Sequence, residues 1–196
     1  MIDQHSKWKE VNGDETFALD WKIKSSALVW EIGGFEGRWA AQMAEKYDPW
    51  IEIFEPQGWA VERLQKRFAE NQKFTIKPYG LWVMQAALPL YNFETDGASL
   101  LAEGVRSQVC NFMDVYKELH SGVDVCLMNI EGAEFVLLPY LIGYDLMRYF
   151  RYFWCQFHTF VPGSEKKIVD INKGMAKTHK VLWDFYPTAV AWERRD

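Results

Sequence analysis

Several things are scarce in this chain, and each scarcity removes a class of function. There are three cysteines in 196 residues, Cys110, Cys126 and Cys155. Their number is odd and their spacing wide, which excludes a disulfide framework and any zinc-ligand pattern. Cys126 and Cys155 sit in apolar strand-like runs, so buried free thiols in a reducing, cytoplasmic setting are expected. No apolar run reaches the ~18 residues that a membrane helix needs. The first residues, Met1-Ile2-Asp3-Gln4-His5-Ser6-Lys7, are polar and unlike a signal peptide. Basic blocks are absent and the net charge is −5, so nucleic acid is disfavoured as a partner, because phosphate binding needs a positive face. A small-molecule substrate fits better. Internal repeats, low-complexity tracts and linkers are missing too, and one domain is expected over residues 16–196, preceded by a polar extension over residues 1–15.

Aromatic residues are abundant, with ten Trp, nine Tyr and thirteen Phe. Composition does not say whether they fill a core or line a cleft. The pattern around residues 28–37 is more telling. Leu28-Val29-Trp30-Glu31-Ile32 reads as a buried strand, Gly33-Gly34-Phe35-Glu36-Gly37 as a glycine loop, and residues 36–47 as a helix with Trp39, Ala40, Met43, Ala44 and Tyr47 on one face. Such a loop lets the backbone turn sharply and approach a ligand at the carboxyl end of a strand.

The remaining pattern alternates strands with helices. Strands are expected at residues 50–55, 74–77, 123–130 and 149–158, helices at 58–71, 113–120 and from 164 onward, and two short strands between 181 and 192 around Pro187. Residues 16–24 alternate like a half-buried strand or an extended arm, and Leu90-Tyr91-Asn92-Phe93 is a candidate hairpin arm. This order predicts an α/β fold: a Rossmann-like, doubly wound, mostly parallel sheet with an antiparallel edge strand, in a single domain.

Polar residues at the ends of these strands are the candidate site. Glu55 closes the second strand beside the glycine loop, where an acid can accept both hydroxyls of a ribose. Asn129-Ile130-Glu131-Gly132-Ala133-Glu134 follows a buried strand abruptly, and His158 ends another. Histidine titrates near neutrality and can take a proton from a hydroxyl. The loop and Glu55 alone do not separate a nicotinamide cofactor from S-adenosylmethionine, since both carry an adenosine ribose. A nicotinamide enzyme, however, would be expected to show G-x-G-x-x-G, and the loop here is Glu31-x-Gly33-Gly34-x-x-Gly37.

The string Asn129-Ile130-Glu131-Gly132-Ala133-Glu134 resembles the Asp-[Ile/Val]-Glu-Gly-Ala-Glu signature of FkbM-type methyltransferases, a family within the class I S-adenosylmethionine-dependent methyltransferases. Residues 29–37 resemble the family's cofactor loop, and Ile53-Phe54-Glu55-Pro56 its second-strand motif, in the family's order. The resemblance implies S-adenosylmethionine as cofactor and methylation of a hydroxyl on a sugar or small metabolite, with a carbohydrate among the acceptors. By position it implies that Glu31, Gly33, Gly34 and Gly37 line the methionine end, that Glu55 and Pro56 lie at the ribose, that Gly80 and Leu81 lie near the adenine, and that Asn129 and Glu131 face the methyl group or the acceptor; His158, from its place at a strand end, is the candidate base. No metal ligand is implied. Two departures stand out: Asn129 replaces the family's acid, and Leu127 stands where a lysine is common. Asn cannot act as a base at neutral pH, so a non-catalytic cofactor-binding or interaction protein on the same fold is the alternative.

Overall fold

The computed structural model describes residues 4–92, 94–101 and 106–196. Residues 1–3 of the expected extension, and Phe93 of the expected hairpin arm, lie outside the described residues. Among the described residues there are ten strands, in chain order Leu28–Ile32 (β1), Trp50–Phe54 (β2), Phe74–Lys77 (β3), Gly80–Trp82 (β4), Ala86–Tyr91 (β5), Ser107–Asp114 (β6), Val123–Met128 (β7), Phe150–Gln156 (β8), His179–Phe185 (β9) and Ala189–Arg194 (β10). The α-helices are Gln4–Glu10 (α1), Arg38–Tyr47 (α2), Gly58–Arg67 (α3), Val115–Glu118 (α4), Glu134–Gly143 (α5) and Ser164–Met175 (α6).

Seven strands form the main sheet in the order β3-β2-β1-β7-β8-β10-β9. Pairing is parallel from β3 through β8, and β10 runs antiparallel to both of its neighbours. The chain reverses direction on the sheet at β1 and β7, which opens the crevice where such folds bind ligands. The antiparallel element at the far end is β10, one place in from the edge strand β9. Only residues 186–188 connect β9 to β10, and so short a connection can join only antiparallel neighbours.

Alternation along the central strands splits their side chains between two cores. Trp30, Ile32, Cys126, Met128, Phe153 and Cys155 pack beneath α5 and α6, with Leu138, Leu141, Ile168 and Met175. Val29, Ile51, Ile53, Leu127 and Trp154 face the other way, onto Trp39, Ala40 and Met43 of α2 and Leu64 of α3. Cys110, Cys126 and Cys155 are all buried and free. No helix among the described residues is long and apolar enough to cross a membrane.

Of the two readings of residues 16–24, the arm stands and the strand does not: Phe17–Leu19 is a 3₁₀ turn, after which the chain runs on outside any strand, with Leu19 and Trp21 buried. The expected helix over residues 113–120 shrinks to α4, because Met113 and Asp114 complete β6, and the Asp114 side chain caps α4 by accepting the Tyr116 N–H at 3.0 Å. Finally, β4, β6 and β5 form a separate three-stranded sheet that the sequence pattern does not announce. Its inner side chains, Leu90, Cys110 and Phe112, make a small core of their own.

The polar segment before residue 16 is anchored. Trp8 of α1 is only 4% exposed and lies against Trp154, Trp183 and Phe185, with ring centroids 5.1–5.9 Å apart. Replacing Trp8 with Ala removes one of the largest apolar surfaces in that layer. It is expected to lower unfolding free energy by about 3–5 kcal/mol, measured by urea denaturation. A loss below about 1 kcal/mol would show that α1 does not pack there in solution.

Candidate functional site

The site lies at the carboxyl edge of the sheet. There β1 is clamped on both sides: the Gly33 N–H donates to the Phe54 carbonyl at 2.9 Å, and the Asn129 N–H to the Ile32 carbonyl at 3.1 Å. Gly33 has φ +87°, and a Cβ there would overlap the Asn129 carbonyl oxygen. No other residue type fits that crossing. The loop that follows is held by Glu55. Its carboxylate accepts the Phe35 N–H at 2.8 Å and the Gln57 N–H at 2.9 Å, and Phe35 takes a left-handed φ of +46° to point its amide there.

Two cavities meet at this loop. One, of about 250 Å³, is lined by Gly33, Glu55, Pro56, Gly80, Leu81, Asn129 and Glu131, with Leu90 and Phe112 of the small sheet as its apolar wall. The other, of about 360 Å³, lies towards α2 and is lined by Glu31, Gly33, Gly34, Arg38, Gln42 and Asn129. Phe35, Asp96 and Gln156 border both. Residues scattered over more than a hundred positions are thus gathered at one crevice. Gly37 is the exception. It lines neither cavity, and its position, with φ +66°, faces Leu64 and Phe68 of α3, so its role is to start α2 and admit α3. Trp82 packs against Phe112 with centroids 6.4 Å apart, in the small core rather than on the cavity wall.

The charges in the crevice are constrained by burial. Glu31 is 3% exposed, and its Oε2 has no hydrogen-bond partner. Burial, then the neighbouring Glu55 charge, push its carboxyl well above the usual range. Glu55 is raised as well, by burial, against which its amide hydrogen bonds act. Asn129 presents a second buried, unpartnered acceptor, Oδ1. Orphaned buried acceptors are rare in folded proteins and mark a place where a donor is wanted.

On the far side, Glu131, Glu134 and His158 form one cluster. Glu134 is fully buried and accepts the backbone N–H of Gly132 at 2.8 Å and of His158 at 2.8 Å. Its Oε1 also lies 3.1 Å from His158 Nδ1, while His158 Nε2 lies 2.9 Å from Glu131 Oε1. Burial alone would lower the imidazole pKa, but hydrogen bonding and attraction to the two carboxylates override it and hold the pKa at about 9. His158 is therefore a charged imidazolium at neutral pH. It stands behind Glu131 and does not line the cavity, so it is not placed as a free base facing the cleft. Glu131 itself has φ +50°, a strained value for a non-glycine residue. The Ser99 hydroxyl holds that turn by donating to the Glu131 carbonyl.

The sequence pattern did not single out Arg38, Gln42, Gln57, Asp96 or Ser99. Arg38 had a legible signal, since it directly follows the glycine loop at the start of α2. Gln57, Asp96 and Ser99 had none. They reach the site through contacts such as Gln57 Nε2 to the Thr95 carbonyl at 3.2 Å and the Glu94 N–H to Gln57 Oε1 at 2.7 Å. No group of three or more His, Cys, Asp or Glu among the described residues is arranged to hold a metal ion.

No protein-family model matches the chain, and no curated protein matches it in sequence. Solved structures do match in shape. The methyltransferase FkbM from Methylobacillus flagellatus KT superposes with a TM-score of 0.61 at 11% identity, over 87% of this chain and 44% of that one. The present chain thus spans less than half of that protein's length. An rRNA methylase from Streptococcus thermophilus superposes with a TM-score of 0.58 at 8% identity, over 95% of this chain and 96% of that one. The fibrillarin/Nop5p complex gives 0.59 at 11% identity, over 99% and 83%. At such identities the likeness is one of fold, and the fold is the Rossmann-like α/β architecture that these methyltransferase structures share.

Proposed function

We propose that the protein is an S-adenosylmethionine-dependent methyltransferase acting on a hydroxyl of a sugar or small metabolite. The observation that carries this reading is the buried, unpartnered Glu31 Oε2 in the crevice, beside Gly33 and Glu55, on a methyltransferase fold. The residues present fit such a donor. Glu31, Gly33 and Gly34 border the cavity suited to its methionine end. Glu55, although both oxygens accept backbone amides, keeps lone pairs for ribose hydroxyls. Pro56, Gly80 and Leu81, with Leu90 and Phe112, line the apolar side of the other cavity, a surface suited to adenine. When bound, S-adenosylmethionine supplies an electrophilic methyl group on a sulfonium.

Asn129 and Glu131 then face the reacting end. Glu131 has one oxygen against His158, and its other oxygen would accept the proton of the acceptor hydroxyl. His158 serves as a positioning residue that fixes Glu131, and Glu134 fixes His158. Asn129 orients by hydrogen bonding, so this arrangement does without an acid at that position. The acids around the mouth, Glu31, Glu55, Asp96 and Glu131, together with a net charge of −5, support a small-molecule acceptor over a phosphate backbone. The three free thiols support a reducing, cytoplasmic compartment. Residues 16–196 serve as the methyltransferase domain, with residues 1–15 as an extension that Trp8 anchors to it.

Isothermal titration with S-adenosylhomocysteine tests the donor. Binding is expected for the wild type, with a loss of about 10–100-fold in Glu55→Ala, since each charge-assisted hydrogen bond is worth roughly 1.5–3 kcal/mol. No wild-type binding would sink the reading. Binding without methyl transfer to any sugar or metabolite hydroxyl would instead favour the non-catalytic alternative.

Glu31 links this function to stability. Its carboxyl pKa is raised on folding, so the empty protein loses stability as pH rises through that raised value. Glu31→Gln is therefore expected to raise the melting temperature of the ligand-free protein more at about pH 8 than at about pH 5, while weakening S-adenosylhomocysteine binding. An unchanged melting curve would show that Glu31 is solvated.

His158 acts with the same sign through a gain of attraction. A pKa of about 9 against the ordinary imidazole value of 6.5 contributes about 3 kcal/mol of stability, present in full below the lower value and lost as pH rises through the higher. Urea denaturation between these limits is expected to show a falling stability that His158→Gln flattens. A slope identical in both proteins would mean that the imidazolium pairs are not formed.

A further inference from the structure

The loop that leaves β8 presents an aromatic side chain that neither the donor nor the proton acceptor uses. The loop is a defined turn: the Val161 N–H donates to the His158 carbonyl at 3.3 Å, and the Ser164 N–H to the Val161 carbonyl at 3.1 Å. Phe157 and Val161 are buried in the core, whereas Phe160 stays 53% exposed although that core is at hand. Its ring stands over the turn at Glu131. A Cβ at Gly132 would lie 3.3 and 3.5 Å from ring atoms of Phe160, and Gly132, with φ +96°, keeps that space clear. The Phe160 and His158 rings lie 5.9 Å apart between centroids, tilted by 53°. Phe160 lines neither cavity given to the donor. A second apolar side chain reaches the same turn from another segment. The Ser99 hydroxyl, which donates to the Glu131 carbonyl, also accepts the Leu101 N–H at 3.0 Å, and Leu101 is exposed.

Two exposed apolar side chains from separate segments thus flank the one carboxylate that faces the acceptor, and apolar surface grouped at a cleft marks a contact site. A flat ring with a hydroxyl matches it. The ring packs against Phe160, and the hydroxyl donates to the Glu131 oxygen that His158 does not contact. A phenol fits better than a sugar. A sugar has hydroxyls around its whole edge that need partners, and Phe160 and Leu101 offer none. A phenol has one, with a pKa of about 10, far below the ~15.7 of water, so it is a strong donor to a carboxylate. We propose that Phe160 and Leu101 form the platform for a phenolic acceptor whose hydroxyl bonds to Glu131. The inference rests on the methyltransferase reading given above and deepens it by naming the acceptor class and making Phe160 a specificity determinant.

Calorimetry on the full chain tests this in two stages. S-adenosylhomocysteine is titrated first into the wild type, Phe160→Ala and Phe160→Trp. The saturated proteins are then titrated with 4-methylphenol, with its methyl ether and with methyl glucoside. The wild type is expected to bind 4-methylphenol about tenfold more tightly than either other probe. Phe160→Ala is expected to weaken 4-methylphenol about tenfold and Phe160→Trp to keep it within about threefold. Neither change should alter S-adenosylhomocysteine binding, which also reports that the exposed site tolerates replacement. The platform is overturned, with the donor reading intact, if 4-methylphenol does not bind or methyl glucoside binds as well. The same holds if Phe160→Ala leaves 4-methylphenol unchanged or weakens S-adenosylhomocysteine equally. If the wild type does not bind S-adenosylhomocysteine at all, the donor reading falls and this inference with it.

Discussion

One carboxylate, that of Glu55, organises the crevice. It takes the amides of Phe35 and Gln57 at once, so it ties the loop after β1 to the turn after β2. Both amides belong to residues that shape the site. Phe35 borders both cavities. Gln57 uses its side chain to accept from Glu94 and to donate to Thr95, which places Asp96, Ala98 and Leu100 over the cleft. A buried acid is costly unless its lone pairs are satisfied, and the loop geometry follows from satisfying them.

The same segment carries the constraint across the cleft. Ser99 bonds the carbonyl of Glu131, and Glu131 meets His158, which meets Glu134. A polar chain therefore runs from β2, over the crevice, to the end of β8. Each member is held by a group from a different element, so the strained backbone at Glu131 is over-determined. Burial and charge act in opposite directions at the two ends. At Glu31 burial and the Glu55 charge outweigh the attraction of Arg67, so it resists ionising, whereas His158 is buried between two acids and keeps its proton. One end of the crevice is thereby prepared for a cation, and the other already contains one.

The alternation of strands and helices was legible because the apolar periods of β1, β2, β3 and α2 are undisturbed. The small sheet was not. Its strands β4, β5 and β6 pair across separations that no periodicity reveals, and β6 is exposed at four of its first five positions. Helix α4 read longer than it is because Met113 and Asp114 fit either a strand end or a helix start until the partners in β4 and β5 are known.

The amino-acid sequence alone determined which polar residues would stand at strand ends, because chain order in a doubly wound sheet places every such residue at one edge. Glu31, Glu55, Asn129 and Glu131 were legible for that reason. Tertiary structure decided what each of them does there. Ser99 and Glu131 are 32 residues apart, and Glu134 and His158 are 24 apart. Whether His158 carries its proton and whether Glu31 has a partner are questions of distance and burial. These depend on packing between elements, which local pattern does not encode.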